Sequence, residues 1–337
     1  MVLVESYQVA VLMCIITMIC WGSWANTQKL ASKEWRFQLF YWDYCLGVLL
    51  LTILFAFTLG STGEHGRSFL NDVRQADKTY IGYALLGGVI FNVANILLVA
   101  AIDIAGMAVA FPVGIGLALV IGVITTYRVD PHGNPTLLFL GVACVAVAII
   151  VDALAYRRLP SSGQKTTVKG IVLSVLCGIL MGQFFQFVAK AMPPLAHISD
   201  PEMAGKLTPY TALVFFALGL FLSSFVFNTA VMIKPFVGDP VPLGDYFTKG
   251  NAWLHIVGIL GGAIWGVGMS FAILAGDRAG YAISYGLGQG ATMVAALWGV
   301  FVWKEFQNAR PGTNKLLALM FLLFVVGLAL IVYANMK

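Results

Sequence analysis

Two stretches of this sequence read almost alike: LLGGVIFNVANILLVAAIDIAGMAVAFPVGIG, residues 85–116, and ILGGAIWGVGMSFAILAGDRAGYAISYGLGQG, residues 259–290. Each consists of an apolar segment, a short turn with an aspartate, and a glycine-rich apolar segment. At an offset of 174 residues the following pairs coincide: Gly87 with Gly261, Gly88 with Gly262, Asp103 with Asp277, Gly114 with Gly288 and Gly116 with Gly290. Apolar residues coincide easily by chance, whereas these pairs do not, so they indicate an internal duplication.

The composition is that of a protein whose solvent is lipid. Of the 337 residues, 60% are hydrophobic and 10% are charged, whereas a soluble protein carries about 25% charged residues. The net charge is +5 and no basic run is interleaved with aromatic residues, so we expect no nucleic-acid partner. The five cysteines lie in apolar runs without metal-ligand spacing, which predicts neither a metal site nor a cofactor.

Ten apolar segments are long enough to cross a bilayer, which requires about 20 residues each. They run approximately over Tyr7–Gln28, Phe37–Leu59, Tyr80–Ala101, Met107–Tyr127, Thr136–Tyr156, Lys169–Ala189, Pro209–Met232, Trp253–Ala275, Tyr281–Trp303 and Lys315–Tyr333. The predicted fold is therefore an all-α integral membrane protein with ten transmembrane helices. The links that contain Gly106 and Gly280 are so short that they must be tight turns between antiparallel helices.

The duplication divides the ten segments into two groups of five. Residues 1–156 form the first predicted five-helix repeat, residues 157–168 a cytoplasmic linker, and residues 169–337 the second repeat. Because five is odd, the second repeat enters the membrane from the opposite side, which predicts an inverted repeat. Lys and Arg are more numerous on the side of the linker, so we expect extracytoplasmic termini in a multi-pass protein of the cell (inner) membrane. Both a monomer and a homodimer fit this arrangement.

The first segment ends with WGSWANTQK, residues 21–29, in which aromatic rings and amides recur at helical spacing. Trp21, Trp24 and Gln28 share one helical face, and Asn26 lies beside it. Rings that stack and amides that hydrogen-bond an edge suit a flat, polar ligand. The alternative is an interfacial belt of tryptophans. The sixth segment repeats the theme at an offset of 160, with Gln183 and Gln186 in MGQFFQFVAK.

An acidic residue lies inside the second segment, which opens with FYWDYC. A charged Asp43 at this depth would cost several kcal/mol unless it is paired, hydrated or protonated. It is therefore a candidate to carry a proton during transport. The alternative is a carboxylate at the membrane boundary, flanked by the aromatic residues Tyr41, Trp42 and Tyr44.

Further polar residues lie at membrane depth in both halves. Asn92 and Asn95 are three residues apart, and buried amides either contact a ligand or join helices. The remaining candidate ligand-binding side chains are Trp265, Tyr285 and Gln289. Pro112 and the glycines that follow it are expected to loosen the fourth segment, as Gly286, Gly288 and Gly290 are expected to loosen the ninth. Close helix packing by small residues is the alternative.

No enzymatic signature is present. The sequence contains no HExxH, GxSxG, Walker A or paired-histidine motif. The chain is therefore not expected to be an enzyme.

The ten-segment duplicated pattern resembles the drug/metabolite transporter superfamily. WGSWANTQK together with YWDY is similar, more narrowly, to the ureide permease family, with the glucose and rhamnose uptake proteins as a related branch. The resemblance implies proton-coupled uptake of a small planar polar metabolite, such as the ureide allantoin or a purine or pyrimidine base, by alternating access. It implies roles in the binding site for Trp21, Trp24, Asn26 and Gln28 and a role in coupling for Asp43. The alternatives are a sugar porter and a metabolite exporter of the same superfamily.

Overall fold

The computed structural model describes residues 1–31, 35–63, 65–160, 167–193 and 203–336. Ten helices among these residues are long and apolar enough to cross a membrane, and no described residue lies in a β-strand. In chain order, span 1 to span 10 are Tyr7–Ala31, Phe37–Phe57, Lys78–Ala105, Pro112–Val129, Pro135–Tyr156, Val168–Lys190, Pro209–Ile233, Ala252–Ala279, Tyr281–Val302 and Thr313–Tyr333. The predicted all-α fold with ten spans is confirmed. Residues 161–166 of the predicted linker lie outside the described residues.

The two shortest connections are tight turns at glycine. Gly106 between spans 3 and 4 has φ of 75°, and Gly280 between spans 8 and 9 has φ of 86°. A side chain strongly disfavours this left-handed backbone region, which glycine enters at no steric cost. The turns therefore explain why a glycine recurs at this place in both halves.

The helices pack in pairs that repeat between the halves. Span 1 packs on span 8 as span 6 packs on span 3, and span 2 packs on span 8 as span 7 packs on span 3. Spans 2 and 7, 4 and 9, and 5 and 10 pack on each other. Exchanging every span for the one five places away in the chain therefore reproduces these contacts. This pairing is consistent with the predicted inverted repeat.

Glycines of the duplicated stretch lie at two equivalent helix crossings. A Cβ atom added at Gly262 in span 8 would overlap the carbonyl oxygen of Tyr44 in span 2. Equally, a Cβ atom added at Gly88 in span 3 would overlap the carbonyl oxygen of Phe216 in span 7. In lipid, helices associate through such close packing of small residues, since no hydrophobic force drives them together. These glycines therefore hold spans 3 and 8 against spans 7 and 2.

Four spans depart from regular α-helix. Span 1 consists of helices Tyr7–Ser23 and Ala25–Ala31, and span 6 of helices Val168–Met181 and Phe184–Lys190. At the offset of 160, these two breaks lie within two residues of each other. Span 4 begins in a π-helical turn, Phe111–Ile115, while span 9 is interrupted between Gly288 and Ala291, as the glycine and proline pattern predicted.

Candidate functional site

A cavity of about 220 Å³ lies between spans 1, 3, 4, 6, 8 and 9. Trp265, in the middle of span 8, is one of the residues that line this cavity. The side of the protein where span 5 ends and span 6 begins is called the linker side. Most of the residues of spans 1, 3 and 9 that line the cavity lie in the half of each helix nearer this side. The aromatic and polar residues of the lining are Trp21, Trp24, Gln28, Phe91, Asn95, Phe184, Trp265, Gln289 and Thr292.

Corresponding positions of the two halves meet in this lining. Phe91 and Trp265, related by the offset of 174, contact each other with ring centroids 4.3 Å apart. Trp24 and Phe184, related by the offset of 160, both face the cavity. Both halves therefore build one cavity, but they contribute different side chains to it.

The tryptophans form a rigid aromatic wall. The rings of Trp21 and Trp265 are nearly parallel, with an interplanar angle of 12° and centroids 5.8 Å apart. Phe216 stacks on Trp265 with centroids 6.0 Å apart, and Tyr44 supports Trp24 with centroids 4.8 Å apart. Because these neighbours hold the indoles in place, the wall can receive a flat ligand without first becoming ordered.

A chain of buried hydrogen bonds orients one amide at the cavity. Nδ2 of Asn95 donates to the hydroxyl of Tyr41 at 3.3 Å, and this hydroxyl donates to Oδ1 of Asn92 at 3.0 Å. Nδ2 of Asn92 donates in turn to Oγ of Ser223 at 2.7 Å. Asn95 therefore lines the cavity, whereas Asn92 joins spans 3, 2 and 7 behind it.

Two glutamines in the lining have unused hydrogen-bonding capacity. Among the described residues, the side-chain amides of Gln28 and Gln289 make no hydrogen bond, although Gln289 is 8% exposed. Gln289 lies at the interruption of span 9, where Thr292 packs one turn further on and also lines the cavity. A nearly buried amide without a protein partner can donate to and accept from a ligand or water.

Asn26 and Tyr285 lie outside the cavity lining. Nδ2 of Asn26 donates to the carbonyl oxygen of Ser23 at 2.9 Å, and its Oδ1 accepts from Nε1 of Trp303 at 2.6 Å. The buried hydroxyl of Tyr285 lies 3.3 Å from the carbonyl oxygens of Ala118 and Met181. Both side chains therefore join helices in this conformation.

Gln183 and Gln186 also lie outside the lining. Nε2 of Gln186 donates to Oε1 of Gln183 across the interruption of span 6. The duplication relates these positions to those of span 1, but in span 6 the cavity is lined by Met181 and Phe184 instead.

Asp43 lies apart from the cavity, in a buried cluster near the linker side. Its side chain is 1% exposed, and Nδ1 of His255 in span 8 lies 3.0 Å from both carboxylate oxygens. The hydroxyl of Tyr246, in the short helix Asp245–Thr248, donates to Oδ1. Gly258 provides the room, since a Cβ atom there would meet Cβ of Asp43. Asp43 is therefore a buried, paired carboxylate.

Sequence reasoning missed His255 and Tyr246 as partners of Asp43. Burial, followed by the hydrogen bond and charge of Asp43, raises the pKa of the Tyr246 phenol well above its usual range. The phenol therefore remains a hydrogen-bond donor at neutral pH. Asp43 and His255 are 212 positions apart in the chain, and no local sequence pattern predicts their contact.

Comparison with known proteins identifies the fold and family. The model of the Ureide permease family matches residues 40–165 and 151–334. Ureide permease 1 and Ureide permease 4 of Arabidopsis thaliana are 23% and 24% identical, each alignment covering 99% of this chain and 99% of the relative. The Probable glucose uptake protein GlcU of Bacillus cereus is 22% identical, covering 73% of this chain and 77% of the relative.

A solved structure described as "Crystal structure of protein" has the same fold, with a TM-score of 0.58 at 18% identity. The match covers 98% of this chain and 100% of that chain. The family match extends over most of both halves and includes eight of the ten spans in full. Members of this family are permeases that move small molecules across membranes, and they are not enzymes. This ten-span protein is therefore a multi-pass membrane transporter that belongs to the ureide permease family.

Proposed function

We propose that this transporter takes up a small planar polar metabolite, a ureide such as allantoin or a purine or pyrimidine base, together with protons. The observation that carries the proposal is the cavity, in which the indole wall of Trp21 and Trp265 lies near the amides of Gln28 and Gln289, which have no partner among the described residues. Stacking on the rings and hydrogen bonds to the amides match the faces and edges of a flat, amide-rich molecule. The names of the plant relatives agree with this class of substrate.

The size of the cavity supports a small substrate. Its volume of about 220 Å³ lies below the range of about 300–1,000 Å³ that is typical of drug-sized ligands. Ureides and single nucleobases are small enough for such a space, whereas nucleosides carry an additional ribose. The substrate is therefore expected to be the base or ureide itself.

Asp43 is the proposed proton-coupling residue. Its carboxylate is buried and depends on contacts with His255 and Tyr246. A structural change that breaks these contacts would therefore alter the protonation of Asp43. Since Asp43 does not line the cavity, coupling would act through the helices that it joins. These are span 2 and span 8, which carries Trp265.

Alternating access is proposed to involve opposed movement of the two repeats. The interruptions of spans 1 and 6 occur beside Trp24 and Phe184, both of which line the cavity. Interrupted helices at equivalent places of two repeats give a transporter flexible elements around one central site. We place the termini outside the cell and the linker in the cytoplasm. A cysteine introduced at the exposed Val168 tests this orientation, since it should react only with a thiol reagent that reaches the cytoplasmic side.

Uptake into proteoliposomes tests the proposal. Radiolabelled allantoin, uracil, glucose and rhamnose are offered with an inward proton gradient, without a gradient, and with a protonophore. Saturable, gradient-dependent uptake of allantoin or uracil is the expected result. Absence of saturable uptake of either compound, with protein that remains folded in detergent, would contradict the proposal.

A sugar porter is the second candidate, because the bacterial relative is named as a glucose uptake protein. Aromatic rings stack on sugars as well, and amides bond hydroxyl groups. Competition decides between the candidates: nucleobases and ureides, but not monosaccharides, should inhibit uptake. Gradient-driven efflux in place of uptake would identify an exporter.

A further inference from the structure

Tyr285 lies in span 9 one helical turn from Gln289, toward the side of the protein that holds both termini, called the terminal side. Gln289 lines the cavity, whereas the side chain of Tyr285 is completely buried. The rings of Phe184 and Phe185 pack against it, with centroids 6.2 Å and 5.2 Å from the centroid of Tyr285. Because Phe184 also lines the cavity, these three rings form the floor that separates it from the terminal side.

The hydroxyl of Tyr285 connects three spans at this floor. It lies 3.3 Å from the carbonyl oxygen of Ala118 in span 4 and 3.3 Å from that of Met181 in span 6, and either oxygen can accept its proton. Met181 lines the cavity and is the last residue before the interruption of span 6. One phenol of span 9 therefore fastens this span to both neighbours.

Gly122 in span 4 provides the space for the ring of Tyr285. A Cβ atom added at Gly122 would overlap three atoms of this ring, Cε1, Cζ and the hydroxyl oxygen. Tyr281, one turn earlier in span 9, is buried as well, but its hydroxyl has no hydrogen-bond partner among the described residues. Of these two tyrosines, Tyr285 is thus the one whose hydroxyl holds the spans together.

Spans 4 and 9 are equivalent in the two repeats, and they meet unequally along their length. The terminal-side part of span 9, Tyr281–Gly288, packs on Gly116–Val129 of span 4. Toward the linker side, Ile115 of span 4 and Thr292 of span 9 line the cavity instead. When the two halves of an inverted repeat exchange conformations, a cavity open to one side becomes open to the other. This exchange would bring the linker-side parts together and separate the spans at Tyr285.

We infer that Tyr285, packed against Gly122, is the lock of a gate that closes the cavity on the terminal side. The inference rests on the proposed alternating access and names a contact that breaks during it. When the phenol leaves Gly122 and the two carbonyl oxygens, span 9 separates from spans 4 and 6, and the cavity opens to the terminal side. Tyr285 is a positioning residue in this role, since it does not line the cavity.

The reactivity of a cysteine beyond the lock tests this inference without any substrate. Thr126 lies one helical turn from Gly122 toward the terminal side. It is completely buried and its hydroxyl has no partner among the described residues, so Thr126→Cys removes no hydrogen bond. The partly exposed Cys20 and Cys144 are replaced by serine, and the full chain is reconstituted in lipid nanodiscs. Mass spectrometry of peptides then gives the rate at which a water-soluble maleimide modifies position 126.

Two variants of the lock should accelerate this modification. Tyr285→Phe keeps the ring and removes the hydroxyl, so position 126 should react about fivefold faster, the factor that corresponds to one lost hydrogen bond. Gly122→Ala displaces the ring itself and should give at least as large an increase. An unchanged rate in either folded variant would contradict the inference.

Matched controls change similar groups away from the lock. Tyr281→Phe removes a hydroxyl of the same helix that has no partner among the described residues, so the rate at position 126 should not change. Gly82→Ala adds a Cβ atom that meets nothing within 4 Å, and it should leave the rate unchanged as well. Acceleration in either control as large as in Tyr285→Phe would overturn the assignment of the lock.

Cys45 serves as an internal reference for general loosening of the fold. It is completely buried in span 2, and its modification is measured in the same samples and should remain slow. Equal acceleration at Cys45 and position 126 would show that the whole chain loosens, which would contradict a local gate. Since no substrate is present, failure of the lock in this experiment is distinguishable from failure of the proposed function, which uptake measures.

Discussion

The hydroxyl of Tyr41 accepts a hydrogen bond from Nδ2 of Asn95 at 3.3 Å and thereby orients an amide at the cavity wall. Tyr41→Phe should leave the ring in place but free Asn95 to rotate. Loss of one hydrogen bond of about 1 kcal/mol corresponds to about fivefold weaker substrate binding. Equilibrium binding of radiolabelled allantoin measures the effect. Tyr127→Phe is the control, because the hydroxyl of Tyr127 makes no hydrogen bond among the described residues. Unchanged substrate affinity in Tyr41→Phe would contradict the prediction.

Two amides of one short helix should respond differently to removal. Gln28 faces the cavity, whereas Asn26 accepts a hydrogen bond from Trp303. Gln28→Ala should weaken substrate binding by about tenfold, because a hydrogen bond to a ligand is lost in a partly dry site. Asn26→Ala should instead lower the melting temperature with little change in affinity. Substrate affinity is measured by following intrinsic fluorescence as ligand is added, and stability by thermal melting. An equal loss of affinity in both variants would argue against a binding role for Gln28 alone.

Asp43→Asn should abolish proton-driven accumulation while substrate exchange and binding persist. The carboxamide keeps the shape of the side chain and its contact with Tyr246 but cannot exchange a proton. Accumulation under a proton gradient and counterflow without a gradient are measured on the same proteoliposomes. His255→Gln should shift the pH profile of uptake without abolishing accumulation. Undiminished accumulation in Asp43→Asn would show that this carboxylate has only a structural role.

Asp77 provides a pH-dependent contribution to stability outside the membrane. Its side chain accepts a hydrogen bond from the backbone N–H of Thr79 at 2.7 Å at the start of span 3, and this bond lowers the pKa of the carboxyl below its ordinary value of 3.8. The ionised Asp77 therefore stabilises the folded chain at pH values above the pKa that its carboxyl has in the unfolded chain. This stabilisation is lost as the pH falls through the lower pKa of the carboxyl in the folded chain. Asp77→Ala should melt at a lower temperature than the parent at neutral pH. The difference should narrow below about pH 4, and a constant difference at all pH values would contradict this account.

Replacement of a crossing glycine should destabilise the helix bundle. Gly88→Ala would force span 3 away from the carbonyl oxygen of Phe216, and overpacking of this kind typically costs about 1–3 kcal/mol. Gly82→Ala is the matched control in the same span, since a Cβ atom there meets nothing within 4 Å. The control should be neutral or slightly more stable, because alanine favours helix by up to about 1 kcal/mol. Thermal unfolding in detergent compares the two variants, and equal melting temperatures would refute the role of the crossing.

The ten spans were predictable because each is an apolar run that only lipid can solvate. The turns at Gly106 and Gly280 were predictable as well, since few residues separate the flanking helices. The repeat also indicated irregular helix in spans 4 and 9, because glycines coincide there at a fixed offset, but it did not predict the interruptions of spans 1 and 6. These features depend on local composition, so the sequence alone contains them.

Side-chain direction was less accessible to sequence reasoning. The spacing placed Gln183 and Gln186 on one helical face, but it could not show that they bond each other while Phe184 turns to the cavity. The pairing of Asp43 with His255 depends on how spans 2 and 8 cross, and that crossing is set by glycines on both helices. Contacts of this kind arise from three-dimensional packing, and a single sequence does not encode them in any local pattern.

The mismatch between Phe91 and Trp265 has a consequence for the direction of transport. Span 8 presents the indole of Trp265 to the cavity, whereas span 3 presents the phenyl ring of Phe91 at the equivalent position of the other repeat. Loading and unloading should therefore have unequal affinities, even when no gradient is applied. Under the proposed proton coupling, such inequality would set how fast each half of the cycle runs, whereas the proton gradient would decide how much substrate finally accumulates.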